Sequence, residues 1–337
     1  MKNSLLEIIR CPRCRNSLSL SAQKESNGAV LVGTLTCAPC AADYPIRDGV
    51  PRMIPSTSDT LLPTKRGFEY QWFERIHGKH EPRSQCYGFP TPAFIDWLVH
   101  QFGLSQSCAG KRWILDAGCG SAEKVAELAR RFPQNEVVGL DLSDTLALSR
   151  KENESIPNLH FVQGDVNSPP FNRGMFDQVV SIGVLHHTEN TQKAFNGVAE
   201  LLAPGGGMLL FIYPAMGEDR FWTSLYRQRD RLFFGQGHRL PRGLLMAFCR
   251  IYMGAFLLPA WLSVHQQAAA RHDEFPFAPR RQGLLDFYHA GVFLMFDNMM
   301  PPFQHRHARA EVIGWFQDSG FERIDSRYSG FYAARRT

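Results

Sequence analysis

Along the middle of the chain, short apolar runs alternate with segments whose apolar residues recur at helical spacing. Trp113-Ile114-Leu115, Glu136 to Asp141, Leu159 to Val166, Phe176 to Ile182 and Met208 to Tyr213 read as buried strands. Between them, Ala122 to Phe132 places Val125, Leu128 and Ala129 on one helical face. Thr191 to Leu202 does the same with Ala194, Phe195, Val198, Leu201 and Leu202, and Pro204-Gly205-Gly206 stops it. Such alternation predicts an α/β fold with a mainly parallel sheet covered by helices. Near the end, Ala308 to Ser319 reads as a helix, followed by two strands at Gly320 to Ile324 and Gly330 to Ala333 that form a closing antiparallel pair. The chain therefore leaves the sheet at Tyr213 and returns near Pro301. The residues between form an insertion over the carboxyl ends of the strands, the edge at which such sheets bind ligands.

The first residues follow a different rule. Cys11-Pro12-Arg13-Cys14 and Cys37-Ala38-Pro39-Cys40 are two knuckles separated by a stretch with the alternation of short strands. Each knuckle presents two sulfurs on one side, so Cys11, Cys14, Cys37 and Cys40 make a tetrahedral zinc site, closed by four thiolates and hence structural. A segment this short buries little apolar surface, and metal binding supplies folding free energy of order 10 kcal/mol in zinc-finger peptides. Pro51, Pro55 and the polar run Ser56 to Thr60 read as a linker.

Composition narrows the class. Of 337 residues, 44% are hydrophobic and 20% charged, the usage of an ordinary globular protein, and the length suggests more than one structural unit. Lys and Arg outnumber Asp and Glu by 37 to 32, without a basic block that would point to nucleic acid. Glu7 and Arg10 interrupt the apolar residues at the amino terminus, so no signal peptide is read. Leu244 to Leu262 is the best membrane candidate, yet Arg250, Gly254 and Pro259 break it, which predicts a buried or interfacial helix. A cytoplasmic location and a reducing compartment are expected.

Chemistry centres on the turn after the first core strand. Asp116-Ala117-Gly118-Cys119-Gly120-Ser121-Ala122 joins a strand to a helix, and its glycines allow a ligand to approach the backbone. Asp141 ends the next strand, 25 residues later, where a carboxylate can accept both ribose hydroxyls; it can equally cap a helix together with Ser143. Asp165, after the third strand, stands where an acceptor for an adenine amino group is wanted. His186 and His187 follow the fourth strand, and either can remove a proton from a hydroxyl or amine, or serve in packing and turn capping.

Taken together, Leu115 to Gly120, Gly139-Leu140-Asp141-Leu142-Ser143, Gly164-Asp165-Val166, Val184-Leu185-His186-His187 and Leu202 to Gly206 resemble the ordered motifs of class I S-adenosylmethionine-dependent methyltransferases, over residues 110 to 214. Ala122 departs from the pattern, which usually has a third glycine there. Leu5 to Cys14, Cys37 to Cys40 and Tyr44 to Pro51 resemble the zinc ribbon that activates RNA and protein methyltransferases and is fused to many bacterial ones. The resemblance implies a Rossmann-like sandwich with S-adenosylmethionine on Asp116, Ala117, Gly118, Cys119, Gly120, Asp141, Leu142, Asp165, Val166 and Gly183, and structural zinc on the four cysteines. It also implies an aromatic lid from Gly67 to Phe73, with Tyr70 and Trp72 over the sulfonium through cation–π attraction, or else stapling a helix to the core.

The expected organisation is a zinc ribbon over 1–55, linker and lid helices over 56–109, the cofactor-binding core over 110–214, a mainly helical substrate cap over 215–300, and a closing helix and strands over 301–337. His186, His187 and Tyr70 are the catalytic candidates. In the insertion, Phe296-Asp297-Asn298 and the histidines up to His307 suggest substrate contact, and a metal site on His289, His305 and His307 ranks low. Ser181-Ile182-Gly183-Val184 lacks the Asn/Asp-Pro-Pro-aromatic run of base and amide methyltransferases, so a small-molecule acceptor in a bacterial biosynthetic pathway is favoured over RNA. Two alternatives stay open, cyclisation of the cofactor's own aminobutyrate arm with release of methylthioadenosine, and RNA methylation; the aliphatic insertion can wall an apolar pocket or form a homodimer face.

Overall fold

The computed structural model describes residues 1–54, 62–77, 85–86, 89–102, 112–271 and 283–337, and the side-chain surroundings of all these except 85–86, 89–90, 101–102, 220–222, 225 and 257–271. The expected linker run Ser56 to Thr60 lies outside the described residues.

Helix α1 (Asn3–Ile8) precedes an antiparallel sheet of β1 (Ser19–Ser26), β2 (Ala29–Cys37), β3 (Ala42–Arg47) and β4 (Val50–Pro51), paired in that order. Pro51 is thus a strand residue, paired with Ile46, rather than part of a linker. Helices α2 (Leu62–Ile76) and α3 (Thr91–Phe102) flank a two-residue ladder of β5 (Gln85–Cys86) and β6 (Phe89–Pro90).

The core follows as β7 (Trp113–Ala117), α4 (Glu123–Arg131), β8 (Glu136–Asp141), α5 (Leu146–Glu152), β9 (Leu159–Gln163), β10 (Phe176–Ile182), α6 (Thr191–Ala199) and β11 (Leu202–Phe211). The insertion contributes α7 (Arg220–Arg231), α8 (Arg242–Arg271) and α9 (Leu284–Met299). Helix α10 (Arg309–Asp318), β12 (Phe321–Asp325) and β13 (Phe331–Arg336) close the chain. The seven strands order as β12-β13-β11-β10-β7-β8-β9, with β13 antiparallel to both neighbours and the rest parallel. This is the Rossmann-like sandwich of the class I methyltransferase pattern. The order reverses at β7, so the crevice at the carboxyl ends of β7 and β10 is the natural ligand site.

Every residue of β7 and β9 is buried, as expected for parallel strands covered on both faces. Strand β11 begins at Leu202, before the glycines, because Phe176 pairs with Leu202 and the register then slips until Gln178 meets Gly207. The Pro204-Gly205-Gly206 stop is a bulge in this strand rather than a turn before it.

The amino-terminal unit is less self-contained than its length implies. Leu5, Ile8, Ile9, Leu35 and Ile46 are buried in one apolar cluster with Phe171 and Phe176 of the sandwich. Its β4 run extends alongside edge strand β9, where Met53 N donates to Gln163 O at 2.8 Å, and Arg10 N donates to Pro170 O at 2.8 Å. Covering β9 in this way protects an edge that would otherwise present unpaired backbone groups.

No helix among the described residues is long and apolar enough to cross a membrane. In α8, Leu245, Met246 and Cys249 pack on Val292, Met295, Phe296 and Met299 of α9, making a separate apolar cluster.

Candidate functional site

The glycine turn is pinned from below. Gly118 N and Cys119 N both donate to Leu140 O, at 2.7 and 3.0 Å, and Gly120 N donates to Asp141 Oδ2 at 2.9 Å. Ser181 Oγ donates to Ala117 O. Gly118 and Gly120 adopt φ of +91° and +56°, and each is closely covered. A methyl on Gly118 would lie 2.2 Å from Val184 Cγ2, and one on Gly120 would lie 2.8 Å from Trp72 Cζ2. Ala122 also has a left-handed backbone, φ +74°, which explains why glycine usually occupies that position. Cys119 is buried with its sulfur close to Gly139.

Above this turn lies a narrow cleft with a cavity volume of about 80 Å³. It is lined by Gly118, Asp141, Leu142, Asp165, Val166 and Gly183 together with Val184, His187 and Asp297. Thr64, Lys65, Phe68 and Trp72 of α2 form the wall facing them.

Asp141 Oδ1 accepts from Ser143 N at 2.9 Å while Oδ2 accepts from Gly120 N, so the carboxylate performs the capping role and still lines the cleft. Burial raises its pKa against those two backbone donors. Asp165 Oδ1 accepts from Asn167 N and Nδ2, and its Oδ2 makes no hydrogen bond among the described residues. An ordered carboxylate on the second strand and one with a spare oxygen on the third fit the ribose diol and the adenine amino group of S-adenosylmethionine. Asp116, Ala117, Cys119 and Gly120 support the loop rather than line the cleft. Asp116 is fully buried with Lys124 Nζ 3.6 Å away, and burial, partly offset by that lysine, pushes its pKa up to about 6.

The two histidines part ways. His186 lies flat on the Tyr213 ring, 3.9 Å between centroids, with Nδ1 accepting from Tyr213 N at 3.4 Å, and it does not line the cleft. Burial, reinforced by His187, His307 and His305, holds its pKa well below the ordinary histidine value. His187 is buried as well. Its Nδ1 lies 3.1 Å from Phe303 O, so Nδ1–H donates there and the lone pair is left on Nε2, 3.9 Å from Asp297 Oδ2. Burial lowers its pKa to about 4, against the pull of the Phe303 carbonyl.

Asp297 is the member of the site with the weakest trace in sequence. It is buried, accepts from Gln71 Nε2 at 3.2 Å through Oδ1 and from Tyr213 Oη at 3.0 Å through Oδ2, and burial raises its pKa to about 6 against those two donors. The aspartate on α9 was visible as a substrate-contact residue. Its partners lie 226 and 84 residues away, and no local pattern joins them.

Tyr70 is placed elsewhere. Residues four apart share a helical face, so Phe68 and Trp72 stack at 6.2 Å and look into the cleft, whereas Tyr70 sits half a turn round against Phe296, 5.8 Å between centroids. It lines an outer hollow with Glu69, Phe73 and Asp144. The cleft aromatics are therefore Phe68, 5.4 Å from His187, and Trp72.

The four cysteine sulfurs lie within 4.8 Å of one another, with Cys11–Cys40 at 3.9 Å and Cys14–Cys37 at 3.5 Å. A tetrahedron with Zn–S of about 2.3 Å has edges of about 3.8 Å, so the set fits zinc. Among the described residues no other such grouping occurs. His307 is instead bound through Nδ1 to Glu311 at 2.9 Å, and its ring centroid lies 6.2 Å from that of His305.

Residues 114–206 match the family described as Methyltransferase domain, and residues 2–49 match Trm112p-like protein. The trans-aconitate 2-methyltransferase of Deinococcus radiodurans is 38% identical over 93 residues, 28% of this chain and 34% of that protein. The fatty-acid O-methyltransferase of Mycolicibacterium smegmatis is 35% identical over 113 residues, 33% and 40% of the two chains. The demethylmenaquinone methyltransferase of Thermus thermophilus is 30% identical over 147 residues, 42% and 66%. The match thus spans about a third to two thirds of these relatives' length.

Proposed function

We propose that this chain, a methyltransferase domain joined to a Trm112p-like segment, transfers a methyl group from S-adenosylmethionine to a protic oxygen or nitrogen of a small molecule. The observation that carries the reading is one cleft lined both by Asp141 and Asp165 and by His187, whose free Nε2 lies 3.9 Å from Asp297 Oδ2. When bound, the cofactor supplies an electrophilic methyl on a sulfonium. Phe68 and Trp72 of α2 cover the cleft and exclude water, and their faces favour a cation.

His187 is neutral at neutral pH, with its tautomer set by the Phe303 carbonyl, so Nε2 is ready to take the acceptor's proton. Asp297, held by Tyr213 and Gln71, lies on the Nε2 side, and its charge stabilises the imidazolium that forms there, while the Phe303 carbonyl orients the ring from Nδ1. The named relatives act, by their titles, on trans-aconitate, a fatty acid and demethylmenaquinone, which supports a small-molecule acceptor. The four cysteines hold structural zinc in this reading, with Tyr44 Oη 3.3 Å from Cys11 Sγ as an outer partner.

The test is to incubate the purified protein with S-adenosylmethionine alone, and with the small-molecule fraction of a cell extract, and to identify the released nucleoside by mass spectrometry. S-adenosylhomocysteine that appears only with extract supports methyl transfer. Methylthioadenosine formed without extract overturns it in favour of cyclisation, and the absence of either product overturns both enzymatic readings.

A further inference from the structure

Over its residues 242–256, helix α8 has two apolar faces, and among the described residues only one is covered. Leu245, Met246 and Cys249 pack on α9, while Leu244, Ala247, Ile251 and Ala255, spaced three or four residues apart along the opposite side, are exposed. Leu244 is 64% and Ile251 73% exposed, and no polar side chain interrupts this stripe over its three turns. Beside it, Leu232–Gly235 forms a tight turn in which Phe233 and Phe234 both take left-handed backbone, φ +55° and +51°. Phe233 stacks edge-on against Phe248 of α8 at 4.8 Å, clamping the turn to the helix, and Phe234 is left 90% exposed. A strained backbone that displays a phenylalanine to solvent asks for an apolar environment.

The charge around the stripe says which one. From residue 220 to residue 256 the sequence carries seven arginines and a single acidic residue, Asp230, which Arg306 engages at 3.3 Å. Arg231 and Arg239 are exposed, flanking the Phe234 turn. Two copies of this face would bring like charge against like charge, whereas a surface of anionic phosphate headgroups over hydrocarbon complements both features.

We propose that α8 and the Phe234 turn form a peripheral docking surface for an anionic lipid membrane, with Leu244, Ile251 and Phe234 entering the acyl boundary and the arginines lying at the headgroups. The docking stands apart from the methyl-transfer reading, and its test needs no turnover.

The full-length protein is floated with vesicles of phosphatidylcholine containing about one third phosphatidylglycerol, and with phosphatidylcholine alone. The first should bind it and release it progressively as salt is raised, and the second should bind it far less. Arg231→Gln and Arg239→Gln should each weaken binding about fivefold, the factor that corresponds to ~1 kcal/mol per basic residue at an anionic surface. The pair Leu244→Glu and Ile251→Glu should abolish it while leaving the melting temperature unchanged, since both side chains are exposed. Phe234→Ser provides a second variant if that pair unfolds. Failure of the wild type to float, or flotation that survives both the glutamate pair and Phe234→Ser, overturns the proposal. So does a concentration-dependent dimer that the glutamate pair dissolves, which assigns the stripe to a second copy.

Discussion

Replacing Asp297 by Asn should make the protein more stable and less active, and the stability gain should depend on pH in a defined direction. Burial raises the Asp297 pKa from 3.8 to about 6. A carboxyl whose folded-state pKa lies above its unfolded value is penalised when ionised. The penalty is fully present above about pH 6 and vanishes below the unfolded value. At 1.36 kcal/mol per pH unit of difference the penalty is about 3 kcal/mol near pH 8. Asparagine carries no such cost and keeps the contacts. Its carbonyl accepts from Tyr213 Oη, and its amide reaches Gln71 Oε1, which has no hydrogen-bond partner, once the Gln71 amide turns over. Urea unfolding of both proteins at pH 8, 6 and 4 should therefore show Asp297→Asn more stable by about 2–3 kcal/mol at pH 8, with the difference closing as pH falls to 4. Turnover should fall at least tenfold, because the charge opposite the His187 imidazolium is gone. Equal or lower stability of the variant at pH 8 would mean instead that Asp297 is held ionised as the partner of a protonated His187.

Three further outcomes follow from the loop and the cysteines. Gly120→Ala should cost about 1–2 kcal/mol for its left-handed backbone and a further 1–3 for the contact with Trp72. In a Trp72→Leu background only the first part should remain, and an equal cost in both backgrounds, read by urea titration, would deny that α2 rests on the loop. Ala122→Gly should raise stability by about 0.5–1 kcal/mol, relieving ~1–2 kcal/mol of strain at φ +74° less the entropy of a more flexible unfolded chain. A lower melting temperature would contradict this. The purified protein should contain one zinc per chain by elemental analysis, and Cys37→Ser should remove it and lower the melting temperature of the whole chain, because the ribbon shares its core with Phe171 and Phe176. A metal-free protein of unchanged stability would contradict the structural role.

The sheet was legible because its signals are local. Fully buried parallel strands read as continuous apolar runs, and the glycine turn and Asp141 sit at strand ends where their neighbours in sequence are also their neighbours in space. The site was only half legible for the same reason. Gly118, Asp141 and Asp165 sit on strand–loop motifs, whereas residues 71, 187, 213 and 297 are brought together by tertiary packing alone. Helix phase turns Tyr70 away from the cleft, which the sequence hides because aromatics at 68, 70 and 72 look alike until the buried side of α2 is known. The slip in β11 escaped because Pro-Gly-Gly ordinarily ends an element, and here the backbone resumes pairing across it. The shared core of the ribbon was hidden because its few apolar residues look insufficient until Phe171 and Phe176 are set beside them.

In the proposed function the cleft over Gly118 holds S-adenosylmethionine through Asp141. Calorimetric titration of S-adenosylmethionine into the wild type and into Asp141→Ala, with Asp165→Ala alongside as a milder variant, measures it most directly. One site per chain is expected in the wild type. Affinity should fall about 100-fold or more in Asp141→Ala, as two hydrogen bonds to a charged acceptor at roughly 1.5–3 kcal/mol each imply, with a smaller loss in Asp165→Ala. Wild-type protein that does not bind the cofactor, or a folded Asp141→Ala that binds it undiminished, would contradict it.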